Sequence, residues 1–295
     1  MDCGLCNSGH FCTEDSVLDP NGFNELKLCR TGPLLFNKND WPIGVSLQEY
    51  GEFSWSEVDM FQQIIKPGQT VIDAGANIGC HTVVMSQLVG PTGLVIAFEP
   101  QRIAFQTLCA NVALNNCVNV SANQMAIGAK QGLIKVPLFD PYQRRNFGGA
   151  PMSGVTEGED CVIVPLDAGD HRALHFIKAD VEGMEGEFLE GAKKTIAKHR
   201  PAIYMEADGA QKVQAMMLLL AWEYRLYWHV ASLFNPENFA GNRTHRFMMN
   251  GSERCSINVI CLPREAEQSV QLTEVTSPYE DGMTVHNDMR RAAVG

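Results

Sequence analysis

Residues 70–79 read T-V-I-D-A-G-A-N-I-G, and no other stretch restricts the fold of this chain so tightly. Val71 and Ile72 are β-branched and suit the end of a buried strand. Gly75 and Gly79 allow the backbone to turn sharply and to approach a ligand closely. Residues 80–88 continue as a short helix. A strand, a glycine loop and a helix together form the opening of a Rossmann-type nucleotide site.

The spacing narrows the ligand. A dinucleotide fingerprint has glycine at its first, third and sixth positions; counted from Gly75, the third is Asn77 and the sixth is Cys80. Asp73 stands at the strand end, where a carboxylate would repel a pyrophosphate. It would suit a ligand carrying an ammonium and a sulfonium, as S-adenosylmethionine does. A second apolar strand, residues 94–98, ends at Glu99, an acid placed to accept hydrogen bonds from ribose hydroxyls. The plainer reading of both features is a glycine turn and a solvated strand-end acid.

Five motifs follow in order: D-A-G-A-N-I-G (73–79), I-A-F-E-P (96–100), A-N-V-A-L-N-N (110–116), K-A-D-V-E-G-M-E (178–185) and R-P-A-I-Y-M-E (200–206). The series resembles the FkbM family of S-adenosylmethionine-dependent methyltransferases over residues 50–206, and more weakly to 263. The resemblance implies a class I, Rossmann-like α/β fold: a seven-stranded, mostly parallel sheet with helices on both faces. It also implies a donor and strand-end set of Asp73, Gly75, Asn77, Gly79, Glu99, Asp180 and Glu182. Ala76 and Pro100 belong to the same motifs and are expected on the donor site. Ala179 stands where many members carry a branched residue, a change expected to affect packing only. By the same resemblance Tyr50, Gly51 and Glu52 close over the donor's amino-acid end; the alternative is a packing tyrosine in a turn.

Along the chain, Ser54 and Glu57 form a capping-box pattern opening a helix over 57–65. Residues 34–36 and 43–47 are expected as short strands or a cover. Residues 101–115 read as a helix and 118–124 as a strand. The turn after that strand places Gln124 and Ala126 where adenine should lie. Residues 133–138 and 161–166 read as further strands. The polar, glycine-rich loop 140–154, with Asn146 near its centre, is long enough to be either functional or disordered. In the strand 176–181, alternation puts Lys178 and Asp180 on one face, with Glu182 if the strand persists. Asp180 ends a buried strand on the ligand edge of the sheet. Residues 202–205 form the next parallel strand, ending at Glu206 and Asp208. Residues 225–230 and 257–262 read as closing antiparallel strands. Between them, 231–255 is aromatic and rich in asparagine and reads as an acceptor-side lid bearing His245 and Arg246.

These residues suggest a chemistry. A hydroxyl is a poor nucleophile at neutral pH and needs a base or a metal. Asp180, Glu182 and Glu206 are the catalytic candidates. Asp180, Glu206 and Asp208 are the alternative ligand set for Mg2+ or Mn2+; His81 is a further candidate base, or else a cap or packing residue. Asn146, His245 and Arg246 are the expected acceptor contacts. By resemblance the acceptor is a hydroxyl on a saccharide or a polyketide-like secondary metabolite, that is, a glycan or small-molecule partner. Two rival classes are a nicotinamide-dependent oxidoreductase and a non-catalytic S-adenosylmethionine-binding protein.

Charge and cysteine usage bound the rest. Lys plus Arg total 23 against 34 acids, a net charge of −11, which argues against nucleic acid as the substrate. No apolar run is long enough to span a bilayer, and no secretory signal is visible. The ten cysteines are scattered, mostly in apolar segments, which reads as free thiols in a cytoplasmic protein. Cys3, Cys6, His10 and Cys12 suggest either a zinc knuckle or part of a loosely ordered extension. The expected organisation is an N-terminal extension (1–49), the methyltransferase domain (50–263) and a polar, mobile tail (264–295). Nothing in the sequence fixes the oligomeric state.

Overall fold

The computed structural model describes residues 18–209, 211–249, 251–267 and 270–294. The cysteine- and histidine-bearing segment at 3–12 lies outside them. The described chain opens with strands β1 (Asn24–Cys29) and β2 (Gly32–Asn37), paired as an antiparallel hairpin, then helices α1 (Ile43–Tyr50) and α2 (Trp55–Ile64). An alternation follows: β3 (Thr70–Ala74), α3 (Cys80–Val89), β4 (Leu94–Phe98), α4 (Arg102–Leu114) and β5 (Val120–Asn123). Short strands β6 (Ala126–Ile127), β7 (Gly132–Val136) and β8 (Glu159–Val164) form a separate three-stranded sheet. The alternation resumes with β9 (Phe176–Ala179), α5 (Glu185–His199), β10 (Ala202–Glu206), α6 (Lys212–Ala221) and β11 (Tyr224–Ser232). The two-residue strands β12 (Met248–Met249) and β13 (Ser252–Glu253) precede β14 (Cys255–Pro263), β15 (Thr273–Glu274) and α7 (Gly282–Val294).

The main sheet runs β15-β11-β14-β10-β9-β3-β4-β5. From β10 to β5 every pairing is parallel; β14 pairs antiparallel with β10 and with β11, and β15 pairs antiparallel with β11. The seven expected strands are therefore present, with the two-residue β15 as an eighth at the edge. This is the Rossmann-like α/β arrangement. Alternating side chains build a core on each face. Ile72, Ile177 and Ile203 pack against Phe188, Leu189 and Met216 of α5 and α6. Val71, Val95, Phe176 and Tyr204 pack against Phe61 of α2 and Met85 of α3. Each such side chain buried contributes roughly 1.5–3 kcal/mol.

Several local expectations are corrected. Residues 34–36 lie in β2, as expected of a short strand, with β1 paired before it; 43–50 is a helix, which leaves 43–47 as a cover and not a strand. Cys29, Leu34, Phe36 and Leu47 pack on Ile78, Cys80 and Val83, so this segment covers the glycine loop. Two asparagines one helical turn apart, Asn111 in α4 and Asn115 at its C-cap, hold it there: Asn111 exchanges hydrogen bonds with the Leu35 backbone, and Asn115 Nδ2 donates to Pro33 O. The capping box does not form. Ser54 is left-handed (φ 44°) and makes no cap bond, and the Glu57 side chain is drawn into the interior instead. Part of the expected mobile tail is structured. β15 extends the sheet, and Glu280 accepts a hydrogen bond from Trp228 Nε1 at 3.2 Å.

Candidate functional site

The C-terminal ends of β3, β4 and β9 lie side by side, so Asp73, Glu99 and Asp180 reach one edge of the sheet. The loop after β3 is held by Gly75 and Ala76, whose N–H groups both donate to Phe98 O at 2.9 and 3.0 Å. Asn77 takes a left-handed conformation (φ 50°), and its Oδ1 accepts from the following Ile78 N–H. That turn aims the Asn77 N–H at Glu99 Oε2 (2.7 Å), while Gln101 N–H donates to Oε1 (2.8 Å). Glu99 is buried, which pushes its carboxyl up to about 7; the two backbone donors and Lys178 act in the opposite direction.

Glu99 lies on the wall of a cleft of about 530 Å³ whose other walls include Phe98, Pro100, Met125, Ala126, Ile127, Met152 and Met184. An apolar slot with one buried carboxylate, each oxygen holding a single backbone donor, fits an adenosine with its two ribose hydroxyls. Of the expected donor residues, Gly75, Asn77, Glu99, Pro100, Ala126, Asp180 and Glu182 line this cleft; Ala76 lines the neighbouring chamber. Gln124 is exposed and off the wall, with Met125 in its place. Gly79 is also off the wall: its left-handed turn (φ 86°) brings it against Leu108 of α4, which a Cβ would meet at 2.6 Å. Met125 belongs to the turn expected at the adenine; Met152 and Met184 were not foreseen as part of this wall, because separate segments supply them.

Asp73 also departs from its expected role. It is fully buried and lines neither cavity. Its Oδ2 accepts from Thr82 Oγ1 at 2.6 Å, and its Oδ1 lies 3.4 Å from Lys178 Nζ. The cause is the register of β3 against β9, which sets Asp73 opposite Lys178. Asp73 thus serves as a counter-ion within the fold.

A chamber of about 1250 Å³ adjoins the cleft and shares Gly75, Asn77, Gly148, Asp180 and Glu182 with it. Its polar wall carries Asp180, Glu182, Glu206, Asp208, Lys178 and His81; Trp41, Phe53 and Phe247 supply aromatic faces. Lys178 Nζ lies 3.0 Å from Gly75 O and 3.5 Å from Asp180 Oδ2. Burial works against its charge, but Asp73, Asp180 and Glu57 outweigh burial and raise its pKa. Glu182 sits past the end of β9 in a left-handed conformation (φ 53°), a strain of order 1–3 kcal/mol for a non-glycine residue. That turn brings Glu182 to Asp180 and Glu206, with carboxylate oxygens of the three within 4.8 Å of one another. Burial, and then the Asp180 charge, raises the pKa of both Glu182 and Glu206. Asp208 lines the chamber but falls outside this trio and accepts from its own neighbour, Gly209 N–H. Any ion held here would therefore take Asp180, Glu182 and Glu206 in place of the expected set.

Among the expected acceptor contacts, Asn146 lines the chamber. His245 and Arg246 do not. His245 lies 3.2 Å from Glu253 and stacks at 4.3 Å on Phe234, while Arg246 pairs with Glu49 at 3.0 Å. Tyr50 and Glu52 are likewise spent on this segment. Tyr50 OH donates to Thr244 O, and Glu52 accepts from Asn235 Nδ2 and Phe239 N–H. The segment after β11 is fixed to α1 by these bonds, and it reaches the chamber through Leu233, Phe247 and Arg254.

A fold of this kind with this cleft belongs to the Rossmann-like methyltransferase class. A family model described as the FkbM methyltransferase domain matches residues 73–226, and the chain belongs to that family. It is 33% identical over 70 residues to the methyltransferase sdnD of Sordaria araneosa, a match spanning 23% of this chain and 27% of that protein. An FkbM methyltransferase from Methylobacillus flagellatus KT aligns with 69% of this chain and 50% of its own, at 17% identity and a TM-score of 0.43. A putative methyltransferase from Streptococcus mutans, in complex with SAH, aligns with 70% of this chain and 95% of its own at 12% identity and a TM-score of 0.39. Among the described residues no helix is long and apolar enough to cross a membrane.

Proposed function

We propose that the chain transfers the methyl group of S-adenosylmethionine to a hydroxyl of a saccharide or polyhydroxylated metabolite. The observation that carries this reading is the junction of cleft and chamber: Glu99 marks the donor side, Asp180 lies on the shared wall, and the chamber opens beyond it. The donor, when bound, supplies an activated methyl with its own leaving group. The task left to the protein is to hold an acceptor oxygen in line with that methyl. Asp180 is half-exposed toward the chamber and anchored by Lys178, so it can orient the acceptor by accepting a hydrogen bond from a hydroxyl beside the one that is methylated. Glu182 and Glu206, held toward their protonated forms, can donate to neighbouring oxygens of the same acceptor. Trp41, Phe53 and Phe247 offer the apolar faces on which a sugar-like ring packs. The net charge of −11 favours an uncharged acceptor over nucleic acid.

The carboxylate trio favours a second mechanism on the same acceptor, with Mg2+ or Mn2+ on Asp180, Glu182 and Glu206 lowering the hydroxyl's pKa. Calorimetric titration with S-adenosylmethionine and with NAD(H) separates the methyltransferase from the nicotinamide alternative. Methyl transfer from labelled donor to a panel of glycans and hydroxylated metabolites, with and without EDTA, then tests the acceptor class and the ion. Absence of donor binding would sink the reading. Binding with transfer to amines but never to hydroxyls would sink the acceptor class. Binding with no transfer to any member of a wide panel points to the non-catalytic alternative.

A further inference from the structure

We propose that His81, backed by Glu57, takes the proton that the acceptor hydroxyl loses. The inference rests on the reading that the chamber holds a hydroxyl acceptor. His81 stands in the first turn of α3, directly after the glycine loop. Its ring lines the chamber although only 6% of the residue is exposed. Phe61 packs edge-on at 5.2 Å and Phe53 at 5.6 Å between ring centroids, which fixes the ring plane. Its Nε2 is sealed from solvent and makes no close hydrogen bond; the group it faces is Glu57 Oε2, at 3.4 Å. That leaves Nδ1 as the nitrogen available to a group in the chamber.

Glu57 is held for this position. It is 5% exposed, and its other oxygen accepts from Asn258 Nδ2 at 2.8 Å. Ser256 and Tyr204 also hydrogen-bond Glu57, so its carboxyl is fixed behind the ring independently of His81. Asp180, by contrast, is already paired with Lys178. The charged groups facing the His81–Glu57 pair are Lys178 and Asp180.

The step balances. As the acceptor oxygen bonds to the methyl carbon and the carbon–sulfur bond breaks, the hydroxyl proton passes to His81 Nδ1 and the Nε2 proton passes to Glu57. The sulfonium charge and the Glu57 charge vanish together, and the imidazole ends neutral in its other tautomer. After product leaves, Glu57 returns the proton to Nε2 and Nδ1 releases one to chamber water. His81 thus touches the substrate, and Glu57 is a positioning residue and transient proton store.

The test is NMR on the full chain carrying 15N-labelled histidine, with His81 assigned through its contacts to the Phe61 ring. At neutral pH the expected state is a neutral ring with Nε2 protonated and Nδ1 bare. An imidazolium, or a proton on Nδ1, overturns the proposal without any variant having to fold. On a hydroxyl acceptor, His81→Gln and Glu57→Gln are each expected to lower kcat by roughly 10²-fold with donor affinity unchanged, and Glu57→Asp to recover part of the loss. A wild-type rate in folded His81→Gln overturns it as well. Donor titration of the same samples keeps the two readings apart: no binding by the wild type refutes the methyltransferase reading, whereas binding with the wrong tautomer refutes the His81 assignment alone.

Discussion

Gly75 and Asp180 touch backbone to backbone: a Cβ built on Gly75 would lie 1.7 Å from the Asp180 carbonyl oxygen. The glycine that looked like a concession to a ligand is a concession to the neighbouring strand end. Asp180 N–H donates to Ala74 O at 3.0 Å, so the β3 and β9 ends are joined at the point where the chemistry must happen. Gly75 is also left-handed (φ 76°), which a side chain resists independently. Gly75→Ala is expected to cost roughly 3 kcal/mol or more, and to displace Asp180 in whatever fraction still folds. Urea denaturation measures the cost; a Gly75→Ala protein as stable as wild type would show that the contact is easily relieved.

Glu99 should trade stability against binding. Its folded pKa, about 7, lies above its ordinary value of 4.5, so the folded state holds the proton more tightly than the unfolded chain does. The stability this group contributes is complete below about pH 4.5 and is lost as pH rises through about 7, a span on the order of 3 kcal/mol. Glu99→Gln cannot ionise. Its stability should therefore fall less than that of wild type between pH 5 and pH 8, by up to that amount. Its affinity for S-adenosylmethionine should drop by roughly 10- to 100-fold, the scale of a lost charge-assisted hydrogen bond. Identical pH slopes by urea denaturation would mean that the folded carboxyl is not shifted. Unchanged donor affinity by calorimetry would remove Glu99 from the ribose site.

What could be read in the sequence was local. A β-branched run followed by glycine or acid marks a strand end, and that marking located Glu99 and Asp180 without any knowledge of strand order. Asp73 carried the same mark, but its role depends on which strand lies beside β3. The pairing that sets it against Lys178 joins residues 105 apart, and no local pattern encodes it. His245 and Arg246 failed for a similar reason. Aromatic and asparagine-rich composition identified an unusual segment but not the partners, Glu253 and Glu49, that hold its polar groups away from the chamber. Of the hairpin over 24–37 only residues 34–36 were legible as a strand; β1 and its pairing escaped because the hairpin is held by α4, not by a recognisable turn. The pair Asn111 and Asn115, visible as a motif, gave no hint that both reach β2.

Asn111 carries that attachment, so its loss should be felt at the donor site. It is fully buried, its Oδ1 accepts from Leu35 N–H at 2.7 Å, and its Nδ2 donates to Leu35 O and to Ile78 O at 2.9 and 2.7 Å. Asn111→Ala strands three backbone groups, each costing about 1–3 kcal/mol when left buried and unpaired. A loss of roughly 3 kcal/mol or more is expected, with faster amide exchange at Leu35 and Ile78. Asn111→Asp keeps the acceptor and loses the donor, and should fall between the two. If Asn111→Ala costs under about 0.5 kcal/mol, the scale of an ordinary surface substitution, water replaces the side chain and the hairpin is held by apolar packing alone.

Asp180 is the residue on which the proposed reaction turns. Its carboxylate lies on the wall shared by cleft and chamber, 3.5 Å from a lysine that is itself locked to Gly75 O. Asp180→Asn keeps volume and shape but removes the charge that orients an acceptor hydroxyl or ligates an ion. The side chain is 42% exposed, so the fold should lose no more than about 1 kcal/mol from the weakened ion pair. Donor affinity should change little, because the proposed adenosine contacts are Glu99 and the apolar slot, not Asp180. Turnover on a hydroxyl acceptor should fall roughly 10²-fold or more, the penalty for a misplaced nucleophile. Chelation separates the two mechanisms. Activity lost to EDTA and restored by Mg2+ or Mn2+ supports the carboxylate trio as an ion site, while indifference to EDTA leaves Asp180 orienting the acceptor directly. Wild-type turnover by Asp180→Asn would make Asp180 a structural partner of Lys178 and remove it from the chemistry.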